Sequence, residues 1–164
     1  MIASFEEKAA GTRPRDSNMK ARLLIVDDHE IVREGIRRLL SSSRPDWEIC
    51  GEASDGKQAI EAVERLKPDV VVLDVTMPGM NGLEAASHIV KRKLASRILI
   101  FTMHGSDGLS AEIRNAGAHG YVQKSQASSD LVQAIECLLR GGIFFGGKCI
   151  ITAASGGRIP AQAS

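Results

Sequence analysis

The stretch Val70-Val71-Val72-Leu73-Asp74-Val75-Thr76-Met77-Pro78-Gly79 decides the fold of this chain. Four apolar residues lead directly into one carboxylate, and Pro78 and Gly79 then turn the chain. A short β-branched run that ends in turn residues is typical of a strand buried on both faces of a parallel sheet. We therefore expect Asp74 at the carboxyl edge of that sheet, where open α/β folds bind ligands.

Similar apolar runs lie on both sides of this central strand. Strands are predicted at 22–26, 47–51, 69–73, 97–101 and 121–123. Between and after them, apolar residues recur at helical spacing, which predicts helices over 31–40, 56–66, 83–90, 106–116 and 131–139. Regular alternation of strands and helices indicates an α/β fold of the (βα)5 type, a doubly wound parallel sheet with right-handed crossovers.

Size and composition limit the alternatives. With 164 residues, 43% of them hydrophobic, the chain has room for one domain and a little more. A net charge of +1 predicts no strong attraction to nucleic acid or to a membrane surface. The first residues form no signal peptide, so we expect a cytoplasmic protein. Cys50, Cys137 and Cys149 lack the spacing of a metal site and are expected to be reduced.

The predicted folded domain covers residues 20–145. Residues 1–19 are polar and mixed in charge, which predicts a disordered lead. Residues 146–164 are rich in Gly, Ala and Ser, which predicts a flexible tail. As the alternative, four apolar residues in and just before this tail would dock on the last helix: Phe144, Phe145, Ile150 and Ile151.

Polar residues follow four of the five predicted strands. Because the carboxyl ends of parallel strands meet at one sheet edge, we expect these side chains to gather there. Three carboxylates at close range repel each other, and a hard divalent cation such as Mg²⁺ relieves that repulsion. A carboxylate can also attack phosphorus to give an aspartyl phosphate, with an ammonium and a hydroxyl to hold the phosphoryl oxygens. The residues concerned are Asp27, Asp28, Asp74, Thr102 and Lys124.

Four segments of the chain resemble the receiver domain of two-component response regulators, most closely the subfamily that normally carries a LuxR-type helix-turn-helix. The resemblance covers roughly residues 20–145 and implies a flavodoxin-like fold with strand order 2-1-3-4-5. It also implies phosphorylation by a histidine kinase or a phosphotransfer protein. The segments are LIVDDHEIVREG at 24–35, VLDVTMPGMNGLE at 72–84, FTMH at 101–104 and AGAHGYVQKS at 116–125.

The resemblance implies a role for each acidic residue. Asp74 would be the phosphoacceptor. Asp28 would bind Mg²⁺ directly, and Asp27 would bind it through water or as a second carboxylate. The backbone carbonyl of Thr76 would complete the metal shell.

The resemblance also implies a conformational switch. Thr102 and Lys124 would hold the phosphoryl group. Tyr121 takes the place of an aromatic residue that swings inward as Thr102 moves. This movement would alter the surface formed by helix four, strand five and helix five, and with it partner binding or homodimerisation.

Enzymes of similar architecture fit the residues less well. A haloacid-dehalogenase-type phosphatase needs a second Asp two positions after Asp74, where this chain has Thr76. Rossmann and P-loop enzymes need a Gly-rich phosphate loop after the first strand, where this chain has the acidic run 27–30. We therefore expect no enzymatic activity beyond self-dephosphorylation.

The sequence leaves the output of the switch open. No helix pair follows the domain, and residues 146–164 contain two basic side chains, which predicts no direct nucleic-acid binding. A stand-alone receiver, a truncated transcription regulator and a phosphorylation-independent interaction module all remain compatible with this pattern. Among the histidines, we expect His29 to be a solvated helix-start residue, with a third metal ligand as the alternative, His104 to orient water, and His119 to lie on the surface.

Overall fold

The central strand runs from Val70 to Asp74 in the structure, a computed structural model that describes residues 19–103 and 107–151 and, of Asp107, the backbone alone. It lies inside a sheet with the order β2-β1-β3-β4-β5-β6-β7, and the first five strands of that order are parallel. This arrangement confirms the predicted fold class and the order 2-1-3-4-5. The strands are β1 Arg22–Val26, β2 Glu48–Ala53, β3 Val70–Asp74, β4 Arg97–Thr102, β5 Gly120–Gln123, β6 Ile143–Phe145 and β7 Lys148–Ile150.

Five α-helices cover the two faces of the sheet. Side chains of β3 alternate between the faces, as the period of two in a strand requires: Val71 and Leu73 pack on one side, Val70 and Val72 on the other. The first side carries α2, α3 and α4, and the second carries α1 and α5. No helix in the described ranges has both the length and the apolar character to cross a bilayer. The helices are α1 Glu30–Ser43, α2 Gly56–Leu66, α3 Gly82–Lys91, α4 Asp107–Asn115 and α5 Ala127–Leu139, the last preceded by a 3-10 turn at Lys124–Gln126.

The sheet continues beyond the five predicted strands. We expected a flexible tail from Gly146, but β6 lies parallel beside β5 and β7 returns antiparallel to β6. Gly146 and Gly147 both have positive φ, at 61° and 75°, which allows the chain to reverse within two residues. The expected lead over 1–18 and the expected tail over 152–164 lie outside the described residues.

The prediction that all three cysteines are reduced is wrong for two of them. Cys137 on α5 and Cys149 on β7 form a disulfide, with 5.7 Å between their Cα atoms. Because no pattern in the sequence indicates that residue 149 lies on a strand, the proximity of Cys137 and Cys149 could not be inferred. Cys50 is a free thiol, and burial raises its pKa.

His119 is not the surface residue that we expected. Its Nδ1 accepts a hydrogen bond from the backbone N–H of Ile98 at 2.9 Å, next to the start of β4. Burial, together with the charge of Arg97, lowers the pKa of His119 to about 4. The ring is therefore neutral at pH 7 and serves as an acceptor inside the fold.

Candidate functional site

Acidic side chains from two adjacent strands meet at the carboxyl edge of the sheet. In the register of the parallel pair β1–β3, Val26 lies opposite Leu73, so the next residue of each strand, Asp27 and Asp74, also become neighbours. Both carboxylates are buried, with 1% and 4% of their side chains exposed. The structure thus places two ionisable groups where water cannot fully solvate them, and each needs a charged partner.

Two further residues complete the acidic cluster. Asp28 and His29 follow Asp27 directly, and ligand atoms of these three residues and Asp74 all lie within 4.8 Å of one another. The backbone N–H of His29 donates to Asp27 Oδ1 at 2.9 Å, which fixes the turn between β1 and α1. The structure therefore brings together all three carboxylates that the sequence selected.

Lys124 supplies a positive charge to this cluster. It follows β5, and its Nζ lies 2.8 Å from Asp27 Oδ2 and 3.2 Å from Asp74 Oδ1. Burial opposes the charge of Lys124, but the hydrogen bond to Asp27 and the negative charges of Asp74 and Asp27 outweigh burial and raise its pKa. Lys124 is therefore a permanent cation that bridges the two buried carboxylates.

One ammonium does not neutralise the whole cluster. Burial and the charge of Asp27 raise the pKa of Asp74, although Lys124 and a hydrogen bond from the backbone of Thr76 act in the opposite direction. The remaining repulsion would be relieved by a second cation placed among the carboxylates.

Asp28 provides the clearest indication of where such a cation fits. Its Oδ1 is buried and receives no hydrogen bond from the residues that the structure describes. His29 Nδ1 lies 3.0 Å from this oxygen and 3.2 Å from Asp27 Oδ1, yet the His29 side chain is 67% exposed. A set of carboxylate oxygens with one unsatisfied member suits a hard divalent ion such as Mg²⁺. The exposed His29 side chain agrees with the expected solvated residue, and its approach to both carboxylates keeps the alternative of a third metal ligand open.

The loop after β3 is held close to Asp74. The N–H of Gly82 donates to the carbonyl of Val75 at 2.9 Å, and the side chain of Met77, within the loop, is buried in the core. Asn81 and Glu84 form a capping box that begins α3. Thr76 lies in this loop with its side chain exposed, and the role of its carbonyl as a metal ligand stays a prediction.

Gly82→Ala is expected to lower the free energy of unfolding by about 1–3 kcal/mol. A Cβ at this position would lie 2.0 Å from the backbone oxygen of Asp74, so the start of α3 must move away from β3. Urea unfolding followed by circular dichroism measures the change. Gly35→Ala in α1 is the matched control, because its Cβ would meet nothing within 4 Å. A Gly82→Ala protein as stable as that control would contradict the close approach.

Thr102 lies at the same edge, between Asp74 and Lys124 along the sheet. It ends β4 and is buried; the preceding Phe101 pairs with Asp74, and Thr102 itself pairs with Gln123, the residue before Lys124. This placement agrees with the predicted gathering of strand-end residues. His104 lies outside the described residues.

Tyr121 lies apart from the acidic cluster, on the face of the sheet that carries α4. Its ring is half-buried, and its centroid lies 5.8 Å from that of Phe145 on β6. The sequence did not predict this contact, because Phe145 was expected to precede a tail rather than to lie in the sheet.

Comparisons with known proteins agree with this architecture. A family model described as "Response regulator receiver domain" matches residues 23–136. The chain is 42% identical over 117 residues to the nitrate/nitrite response regulator protein NarL of Escherichia coli K12, covering 70% of this chain and 53% of that protein. The chain thus spans about half the length of this curated relative.

Solved structures resemble the chain in fold as well. A two-component response regulator of the LuxR family from Aurantimonas sp. SI85-9A1 superposes with a TM-score of 0.73 at 46% identity, covering 77% of this chain and 89% of that one. The isolated receiver domain of RcsB from Salmonella enterica serovar Typhimurium, solved in the presence of phosphomimetic BeF3⁻, gives a TM-score of 0.70 at 27% identity, with coverages of 77% and 94%.

The match to the family model, the strand order and the buried acidic cluster all lead to the same family. The chain belongs to the response regulator receiver domains, and it is a LuxR-family receiver of a two-component system.

Proposed function

We propose that Asp74 accepts a phosphoryl group from a phosphohistidine of a histidine kinase or phosphotransfer protein. The observation that carries this proposal is the buried Asp74 carboxylate, held 3.2 Å from Lys124 Nζ at the carboxyl edge of the sheet. A carboxylate oxygen of Asp74 forms a bond to phosphorus while the phosphorus–nitrogen bond of the donor breaks, and the leaving imidazole takes up a proton. Such a transfer depends mainly on positioning and on neutralising charge.

Mg²⁺ is the cofactor of this proposal. Asp28 and Asp74 would bind it directly, Asp27 directly or through water, and the backbone carbonyl of Thr76 would complete the shell. When bound, the ion neutralises charge on the phosphoryl oxygens. The unsatisfied Asp28 Oδ1 and the raised pKa of Asp74, caused by burial and by Asp27, support a cation at this place.

Lys124 and Thr102 would hold the phosphoryl group once it is on Asp74. The ammonium of Lys124 would shift its hydrogen bond from Asp74 to a phosphoryl oxygen, and the hydroxyl of Thr102 would donate to another. Neither residue breaks a bond in a substrate, and we propose no enzymatic activity beyond self-dephosphorylation.

Movement of Thr102 towards the phosphoryl group would let Tyr121 turn inward and reshape the surface formed by α4, β5 and α5. The packing of α4 supports this step: among its described side chains only Ile113 is fully buried, so few contacts oppose its displacement. The altered surface would change partner binding or homodimerisation in the cytoplasm.

A second output is control of transcription through a DNA-binding domain. The observation that favours it is that the chain is 32% identical to a protein named transcriptional regulatory protein DegU, from Brevibacillus brevis, and spans 52% of its length. This chain itself is still expected not to bind nucleic acid, and a gel shift with sequence-specific binding would contradict that expectation.

Intact-mass measurement after incubation with acetyl phosphate tests the proposal. With Mg²⁺ the chain should gain one phosphoryl group, and with EDTA it should gain none. Reduction of the acyl phosphate with borohydride, followed by peptide mapping, should place the group at Asp74. If no adduct forms under any condition, phosphoryl acceptance is refuted and the chain is a phosphorylation-independent interaction module.

A further inference from the structure

The C-terminal hairpin, formed by β6 and β7 at residues 143–150, is tied to the fold by a covalent bond. Cys149 of β7 forms the disulfide with Cys137, which is fully buried on α5. Within the hairpin, Cys149 lies opposite Phe144, whose side chain packs on the face covered by α1 and α5. The disulfide therefore fixes the strand β6 through its direct neighbour in the register.

The same hairpin contacts the residue proposed as the switch. Phe145 points to the opposite face from Phe144, where its ring meets that of Tyr121 edge to face at an angle of 65°. The guanidinium of Arg114, on α4, lies over the Phe145 ring at 4.0 Å. One side chain of the hairpin thus contacts both β5 and α4, the two elements that the switch is proposed to move.

Close backbone packing transmits the position of the hairpin to β5. The N–H of Phe144 donates to the carbonyl of His119 at 3.0 Å, and Phe144 lies opposite Gly120. A Cβ on Gly120 would come within 2.4 Å of the Phe144 oxygen, so the two strands are as close as a glycine allows. In addition to the disulfide, a hydrogen bond from the Arg97 guanidinium to the carbonyl of Gly142, at 2.6 Å, holds the start of the hairpin.

The surroundings of the disulfide accommodate the reduced state as well. Cys149 is half-buried and Cys137 is fully buried, so a thiolate of an external dithiol would attack Cys149 Sγ. The Sγ–Sγ bond breaks, Cys137 leaves as a thiolate and takes up a proton. Its S–H then has the carbonyl of Ile143 as an acceptor at 3.2 Å. The second thiol of the reductant releases Cys149, so two electrons pass to the cysteines and the dithiol becomes a disulfide.

We propose that Cys137 and Cys149 are a redox modification site that controls the mobility of Tyr121, with a dithiol as reductant and a low-molecular-weight disulfide as oxidant. In the oxidised form the hairpin holds Phe145 against Tyr121 and α4. Reduction releases β7, loosens that contact and lets Tyr121 move. Disulfides in cytosolic proteins commonly serve redox sensing rather than stability, which fits the proposed location. The consequence for phosphorylation rests on the proposed function.

Hydrogen exchange on the unphosphorylated chain tests the site without relying on phosphorylation. The Cys50→Ser protein, which cannot form other disulfides, is compared after oxidation and after treatment with dithiothreitol. Exchange at 108–116, 119–123 and 143–150 should be faster in the reduced protein, while exchange at 22–26 and 70–74 should not change. The Cys50→Ser, Cys149→Ser protein should exchange as fast as the reduced protein, and dithiothreitol should not change its exchange. Phe145→Leu, with the disulfide intact, should speed exchange at 119–123.

Three results would overturn the inference: alkylation of both Cys137 and Cys149 in oxidised protein, equal exchange at 119–123 in the two redox states, or phosphorylation of both redox states at equal rates. With acetyl phosphate and Mg²⁺, the oxidised protein should be phosphorylated about fivefold more slowly, a typical size for coupling between two sites. If neither redox state is phosphorylated, the proposed function fails, and the exchange result alone decides on the redox site.

Discussion

Lys124→Met should lower the free energy of unfolding by about 3–5 kcal/mol, because it removes one partner from a buried charge cluster. The ammonium lies 2.8 Å from Asp27 and 3.2 Å from Asp74, and its side chain is 14% exposed. Methionine keeps most of the volume and removes the charge. Two buried carboxylates then face each other without the cation that bridges them.

Urea unfolding of the Lys124→Met protein, with and without Mg²⁺, measures this effect. Mg²⁺ should restore part of the lost stability, since an ion that binds the folded state alone stabilises it by mass action. The exposed Lys91→Met at the end of α3 is the control, and it should change stability by less than about 0.5 kcal/mol. If both variants lose less than about 0.5 kcal/mol of unfolding free energy, the contacts of Lys124 with Asp27 and Asp74 do not stabilise the fold, and the prediction is wrong.

Asp74→Asn should abolish phosphoryl acceptance completely and, at pH 7, stabilise the fold by about 1 kcal/mol. The amide has no nucleophilic oxygen and no negative charge, so it removes both the acceptor and the repulsion with Asp27. A variant that loses function and gains stability indicates that the native carboxylate is kept in a buried, repulsive environment because its chemistry requires the charge. Intact mass after treatment with acetyl phosphate and Mg²⁺ checks the first effect, and urea unfolding checks the second.

The pH dependence of that stability difference identifies its cause. Burial and Asp27 raise the pKa of Asp74 above its ordinary value of 3.8, so the folded state holds the proton more tightly than the unfolded state does. Below the pKa of Asp74 in the unfolded chain, Asp74 is protonated in both states and does not lower the free energy of unfolding. The loss appears as the pH rises through the pKa of Asp74 in the folded protein. The advantage of Asp74→Asn in the free energy of unfolding should therefore be larger at pH 7 than in acid, where it should vanish. Asp46→Asn, which removes an exposed carboxylate paired with Arg44, should give no such gain.

The sequence was sufficient to predict the five core strands and the edge at which the site lies. Runs such as 70–73 are apolar at every position, mostly β-branched and followed by turn residues, which is typical of a strand covered on both faces. Once the strands are parallel and β1 lies beside β3, Asp27 and Asp74 must be neighbours. The strand order came from the family resemblance, because many orders satisfy the same alternation of strands and helices.

Three features could not be predicted, because each depends on contacts between distant residues. Ile143–Phe145 is a strand of only three residues, and its pairing with Gly120 on β5 leaves no signal in the sequence. The disulfide requires that residues 137 and 149 meet, which the missing strand concealed. The buried oxygen of Asp28 lacks a hydrogen-bond partner among the described residues, and no sequence pattern indicates this.

The short hairpin also changes which strand forms the edge of the sheet beyond β5. Without β6, the backbone of β5 would present open hydrogen-bonding groups, and such an edge can recruit strands from other molecules. In the structure the edge strand is β7, which is three residues long and begins with the exposed Lys148. A brief strand with a charged residue is a poor template for aggregation. Variants that shorten the chain before residue 143 should therefore be harder to keep dispersed at high concentration.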